Sequence, residues 1–81
     1  MIKVLFFAQV RELVGVDSLE LQNDYPTVDD LRRALINKGD RWALVLEDGK
    51  LLSAVNQSFV QGTYAIKDGD EVAFFPPVTG G

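Results

Sequence analysis

Residues Thr27 to Lys38 carry the clearest helical pattern in the chain, and apolar runs suited to strands lie on both sides of it. Thr27 is placed to cap the first turn, and Asp30 three residues on makes an approximate capping box. Asp29 and Asp30 suit the positive end of the helix dipole, and Lys38 suits the negative end. Val28, Leu31 and Leu35, helped by Ala34, form one apolar stripe, and Gly39 is the expected stop. One such helix can cover only one face of a small sheet. The strands to be covered are legible. Ile2 to Ala8 is apolar on both faces past Lys3, which suits a central strand. Asp17 to Gln22 alternates as a half-exposed strand, ended by the turn formers Asn23 and Asp24. Leu51 to Val55 is turned by Asn56-Gln57 toward Phe59-Val60, and Glu71 to Phe75 runs up to Pro76. Gln9 to Val14 fits a short helical turn closing at Gly15. Arg41 to Leu46 fits either a strand or a helical turn. Asp48-Gly49 and Asp68-Gly69-Asp70 read as turns. The fold class expected is α+β: a small mixed sheet with one main helix across one face.

A chain of 81 residues makes one small domain. At that size about 60–65% of the unfolded surface is hidden on folding. An apolar share of 47% suits a folded core, and a net charge of −4 argues against nucleic acid and anionic membrane surfaces as partners. There is no cysteine and no histidine. That removes disulfides, zinc sites, thiolate chemistry and the usual neutral-pH proton shuttle. No metal site is expected: the Asp48-Gly49 and Asp68-Gly69-Asp70 stretches lack a calcium-loop ligand pattern. Neither phosphate-cradling glycine motif occurs, so no cofactor is expected on this chain and ATP would have to be handled by another protein. Glu47 and Asp48 read as surface charges beside a turn. Lys3, Lys38, Lys50 and Lys67 read as solvated, and Trp42 as a core or rim anchor. The opening residues do not make a signal peptide, and no run approaches a membrane span, so a soluble cytoplasmic protein is expected.

The last eight residues, Phe74-Phe75-Pro76-Pro77-Val78-Thr79-Gly80-Gly81, pass from a strand through two prolines to a diglycine. From Val72 onward the only charge is the terminal carboxylate. The prolines favour an extended start and the glycines a slender end. The six residues past Phe75 reach about 20 Å when extended, far enough to enter a pocket on another protein. On pattern alone a frayed end and a functional tail weigh equally. If the first and last strands are adjacent and parallel, Phe6 and Phe74 face the helix while Phe7 and Phe75 face away. Apolar area beside the root of the tail would then mark an interface; the alternative is a second small apolar cluster under a loop that includes Phe59.

Taken together, Met1-Ile2-Lys3-Val4-Leu5-Phe6-Phe7-Ala8, Val10-Arg11-Glu12-Leu13-Val14-Gly15, Asp40-Arg41-Trp42-Ala43-Leu44, Ala54-Val55-Asn56-Gln57 and Asp68 through Gly81 resemble the family of small molybdopterin synthase subunits, end to end. The resemblance implies a ubiquitin-like β-grasp over residues 1–81, with 76–81 as an extended tail. It implies a sulfur carrier rather than a catalyst. In that family an adenylating activating enzyme (MoeB-like) uses ATP on the terminal carboxylate, and a sulfur donor acting through it converts the group to a thiocarboxylate. The large synthase subunit (MoaE-like) then takes up the tail, and sulfur passes to cyclic pyranopterin monophosphate to form the molybdopterin dithiolene. By position, Gly81 bears the sulfur. Gly80, Thr79, Val78, Pro77 and Pro76 form the inserted tail, and Phe7, Phe59 and Phe75 contact the large subunit. Phe59 is aromatic where the family more often has an aliphatic side chain. A heterotetramer of two small and two large subunits is implied.

The chemistry agrees with this. An α-carboxyl group ionises at a pKa of about 3.5, so at neutral pH it is a poor electrophile and needs activation. A chain without cysteine must receive its sulfur from outside. A tail without side-chain charge enters a narrow pocket without burying an unpaired charge, and its carboxylate needs a cationic or N–H-rich receptor there. Two other classes fit the same features: a related carrier for thiamine or tRNA thiolation or protein conjugation, and an interaction module whose tail is incidental. A deletion's auxotrophy separates the first, and function retained without Gly81 marks the second.

Overall fold

In β1 (Ile2–Phe6) the side chains of Ile2, Val4 and Phe6 are buried on one face while Lys3 is exposed on the other. This alternation organises the fold. The computed structural model describes residues 1–47 and 51–76. After β1 come α1 (Ala8–Val14), β2 (Ser18–Leu21), α2 (Val28–Ile36), α3 (Asp40–Leu46), β3 (Leu52–Val55), β4 (Ser58–Val60) and β5 (Glu71–Phe75). The five strands form one mixed sheet in the order β2-β1-β5-β3-β4. β1 runs parallel to β5, with Val4 opposite Val72 and Phe6 opposite Phe74. The other pairings are antiparallel. The first strand is flanked on both sides, as its two apolar faces suggested.

α2 begins as the sequence indicates. Thr27 Oγ1 accepts a hydrogen bond from the Asp30 N–H at 3.2 Å, and Asp30 Oδ2 accepts one from the Thr27 N–H at 3.1 Å. Aspartate thus closes a capping box more often closed by glutamate or glutamine. Replacing Thr27 by Ala removes one side of it and is expected to lower unfolding free energy by about 1 kcal/mol in denaturant titrations.

The end of α2 departs from expectation. The helix stops at Ile36 with Asn37 as its cap, and Gly39 instead precedes α3 as its N-cap in an extended conformation. Residues 40–46 therefore resolve as helix, not strand. Val45 and Leu46 are buried, and Trp42 sets its ring edge-on to Phe6 with centroids 5.4 Å apart, so the inward positions follow helical spacing. Lys38 lies over the Trp42 ring, 5.4 Å from its centroid. α1 also completes two turns. It ends at Gly15, whose left-handed φ of 81° suits a residue without Cβ. Among the described residues the sheet is thus covered by α2, the longest helix, together with the shorter α1 and α3. Val10, Val28, Leu31, Leu35 and Leu46 meet Ile2, Val4, Phe6, Val72 and Phe74 in one core on the helix side.

Opposite the parallel pair, Asn56 and Gln57 both take positive φ, 50° and 71°. That is the two-residue hairpin geometry whose twist matches the flanking strands. Asn56 also ties this turn to β5. Its Oδ1 accepts from the Glu71 N–H at 3.0 Å, and its Nδ2 donates to Asp70 Oδ1 at 3.0 Å. Asp70, a buried carboxylate, also accepts from the Lys67 N–H at 2.8 Å. The start of β5 is thus fixed from both flanking turns. Among the described residues no helix is long and apolar enough to cross a membrane. The expected turn at Asp48-Gly49, Lys50, and the tail positions Pro77, Val78, Thr79, Gly80 and Gly81 lie outside the described residues.

Candidate partner interface at the root of the tail

Since Phe6 and Phe74 are register partners in parallel strands, the residues that follow each of them arrive at the same end of the sheet. Phe74 is fully buried on the helix side, whereas Phe75 is half-buried on the open face. Phe7 stands beside it, 45% exposed, with ring centroids 6.3 Å apart and planes at 83°. Phe59, on the short edge strand β4, is 70% exposed and lies 5.5 Å from Phe75 by ring centroid. The structure therefore brings together all three aromatic residues singled out in the sequence, with Phe75 in the middle. Edge-on and tilted pairs of this kind hold rings in place by about 0.5–1.5 kcal/mol beyond area burial.

The backbone fixes Phe7 as well. Its N–H donates to the Phe74 carbonyl at 3.4 Å, and its own carbonyl accepts from the Val10 N–H at 3.2 Å, opening α1. The change of direction falls on Ala8, whose φ of 54° is unusual for a residue with a Cβ.

Between the rings lies a concavity of about 290 Å³, which sequence reading did not find. Its floor is Ala54 and Ala73, paired across β3 and β5, with Leu5 beside them. Small side chains under aromatic walls leave room for a protruding group. Alanine has no distinctive signal in a sequence, and only strand register puts these two together. Gln57 and Glu71 form the polar rim. An apolar centre with a polar rim is the usual anatomy of a protein interface.

Pro76, the first residue of the tail, is the last residue described. It lines a groove on the other side of the sheet end together with residues of α1 and α3. Among the described residues no group of carboxylates is arranged to hold a metal ion. What the face offers is apolar area.

The family model described as the ThiS family matches residues 4–81. The chain is 67% identical to the molybdopterin synthase sulfur carrier subunit of Escherichia coli (strain K12), over the whole length of both. Among solved structures, SAMP1 from Haloferax volcanii superposes with a TM-score of 0.80 at 28% identity, covering 99% of this chain and 98% of that one. A chain of the complex of subunits 1 and 2 of molybdopterin-converting factor from Helicobacter pylori superposes with a TM-score of 0.68 at 26% identity, covering 99% and 97%. The fold is the ubiquitin-like β-grasp, with α2 as its main helix and the shorter α1 and α3 beside it among the described residues. By sequence over nearly its entire length and by fold, the chain belongs to the ThiS family.

Proposed function

We propose that this chain is the sulfur carrier of a molybdopterin synthase, with Gly81 as the working residue. One observation carries the reading: a chain 67% identical to such a carrier places an exposed aromatic face at the root of a tail ending in diglycine. The domain supplies docking and the tail supplies the reacting group. An activating enzyme joins the Gly81 carboxylate to AMP, releasing pyrophosphate from ATP. A donor's sulfur, delivered at the sulfide level, then attacks the acyl carbon and displaces AMP, so that the C–S bond formed replaces the C–O bond broken and a thiocarboxylate is left. ATP and the donor belong to that partner.

The large synthase subunit takes the loaded tail next. Phe7, Phe59 and Phe75 form the shoulder against it, and Pro76, Pro77, Val78, Thr79 and Gly80 thread toward its pocket. The structural likeness to a chain from a two-subunit molybdopterin-converting complex supports a partner of this kind. The substrate is cyclic pyranopterin monophosphate. A dithiolene holds two sulfurs and each carrier brings one, so loaded carriers are used in pairs, which suits two small and two large subunits. Catalytic side chains reside on the large subunit, in keeping with the absence of histidine and cysteine here. A cytoplasmic site of action fits a carrier served by ATP.

Mixing the thiocarboxylated chain with large subunit and cyclic pyranopterin monophosphate is expected to form the dithiolene, and the carboxylate form is expected to form none. Equal product with either form would refute the reading.

A further inference from the structure

We propose that the large synthase subunit grips the root of the tail from both sides, and that Leu13 of α1 and Leu44 of α3, beside Pro76, form the helix-side half of the grip. The inference rests on the carrier reading above. Six large apolar residues are exposed among the described residues: Met1, Phe7, Leu13, Leu44, Phe59 and Tyr64. Single exposed apolar side chains are ordinary. Here four of the six gather around Phe75 and Pro76. Phe7 and Phe59 touch Phe75 on the open face of the sheet. Leu13 and Leu44 line a shallow groove of about 130 Å³ with Pro76, Gln9 and Val45.

Leu44 is 70% exposed, as much as Phe59. Helix α3 does not need it for the core, since Trp42, Val45 and Leu46 supply the inward contacts. Consecutive residues, Phe75 and Pro76, thus sit on two different apolar patches, and the patches meet at the point where the tail departs.

Reach decides what covers the second patch. Five residues separate Pro76 from the chain end at Gly81. Fully extended they span about 17 Å. A pocket that acts on Gly81 must open within that distance of Pro76, and the protein around its mouth then lies against both sides of the sheet end. The helix-side groove has no charged residue in its lining, so the matching surface is apolar. A charge placed there would be desolvated on binding without a partner.

The test is Leu44→Asp in the full chain, measured by affinity for the large subunit. Leu44 is exposed, so the fold is expected to persist. Affinity is expected to fall about tenfold or more, while Leu44→Met stays within about twofold, because apolar area is kept. Hydrogen exchange gives a second readout without substitution: amides of α1 and α3 are expected to gain protection in the complex. Unchanged affinity for Leu44→Asp and for Leu13→Ser, with no protection of α1 or α3 while Phe75→Ala still weakens binding, overturns the two-sided grip and leaves the carrier reading standing. A wild-type chain that neither binds the large subunit nor accepts sulfur overturns both.

Discussion

Removing Gly81 is expected to abolish dithiolene formation while leaving the fold intact. The truncated chain still ends in a glycine carboxylate, because Gly80 then becomes terminal. The reacting group is chemically the same, and only its position changes, by one residue or about 3.5 Å. Misplacement of a reacting atom by about 1 Å can cost about a hundredfold in rate. A shift several times larger is therefore expected to reduce product to background, a loss of at least about a hundredfold in the reconstituted synthase. The shoulder residues remain, so affinity for the large subunit is expected to fall far less than the rate. This separates a working end from an incidental one. Product formed at the wild-type rate without Gly81 would mean that the reaction does not depend on Gly81 as the terminal, sulfur-bearing residue.

The second large effect divides two neighbouring phenylalanines. Phe74 is fully buried within the core formed by β1, β5 and the helices, while Phe75 is half-buried on the opposite face between Phe7 and Phe59. Phe74→Ala is expected to lose about 3–5 kcal/mol of stability, through lost apolar transfer and the cavity left behind. Small domains have total stabilities toward the low end of about 5–15 kcal/mol, so this substitution is expected to leave the chain marginal. Phe75→Ala removes a ring already half in water, and its cost in stability is expected to be clearly smaller. Its effect is expected in binding: affinity for the large subunit should drop by roughly thirtyfold, the behaviour of an aromatic anchor at the centre of an interface. Urea titration and a binding isotherm on both variants measure the two quantities. Two variants equally unstable, or a Phe75→Ala chain that binds as well as wild type, would remove the open face from the functional site.

The sequence carried the sheet's strands because their signals are local. The alternation in β1, the Thr27-to-Asp30 cap and the Asn56-Gln57 turn each depend on residues near one another. The facing of Phe6 and Phe74 against Phe7 and Phe75 was also legible, since it needed only strand alternation and the assumption of a parallel pair, which the register bears out. One local reading failed and one left open was decided, each for a physical reason. Gly39 follows a helix, where glycine usually stops the chain, yet here the helix ends earlier and Gly39 begins the next one. Trp42, Leu44 and Leu46 alternate as in a strand, but the same stretch places Trp42, Val45 and Leu46 at helical spacing. Burial against Phe6 and α1 settles that choice, and it is tertiary information. For the same reason the alanine floor between the rings and the patch beside Pro76 could not be read in advance. Each is built from residues far apart in sequence. The resemblance to a known family pointed to Gly81 and added Phe59 to Phe7 and Phe75, which alternation had already singled out, and strand register then explains why those rings meet.

The most direct measurement is the intact mass of the full chain after incubation with the activating enzyme, ATP and a sulfur donor. Exchange of a single oxygen for sulfur is expected, located at Gly81 by fragmentation and absent when ATP is withheld. An unchanged mass, under conditions that load an established carrier of the family, would contradict a sulfur-carrying role for this chain.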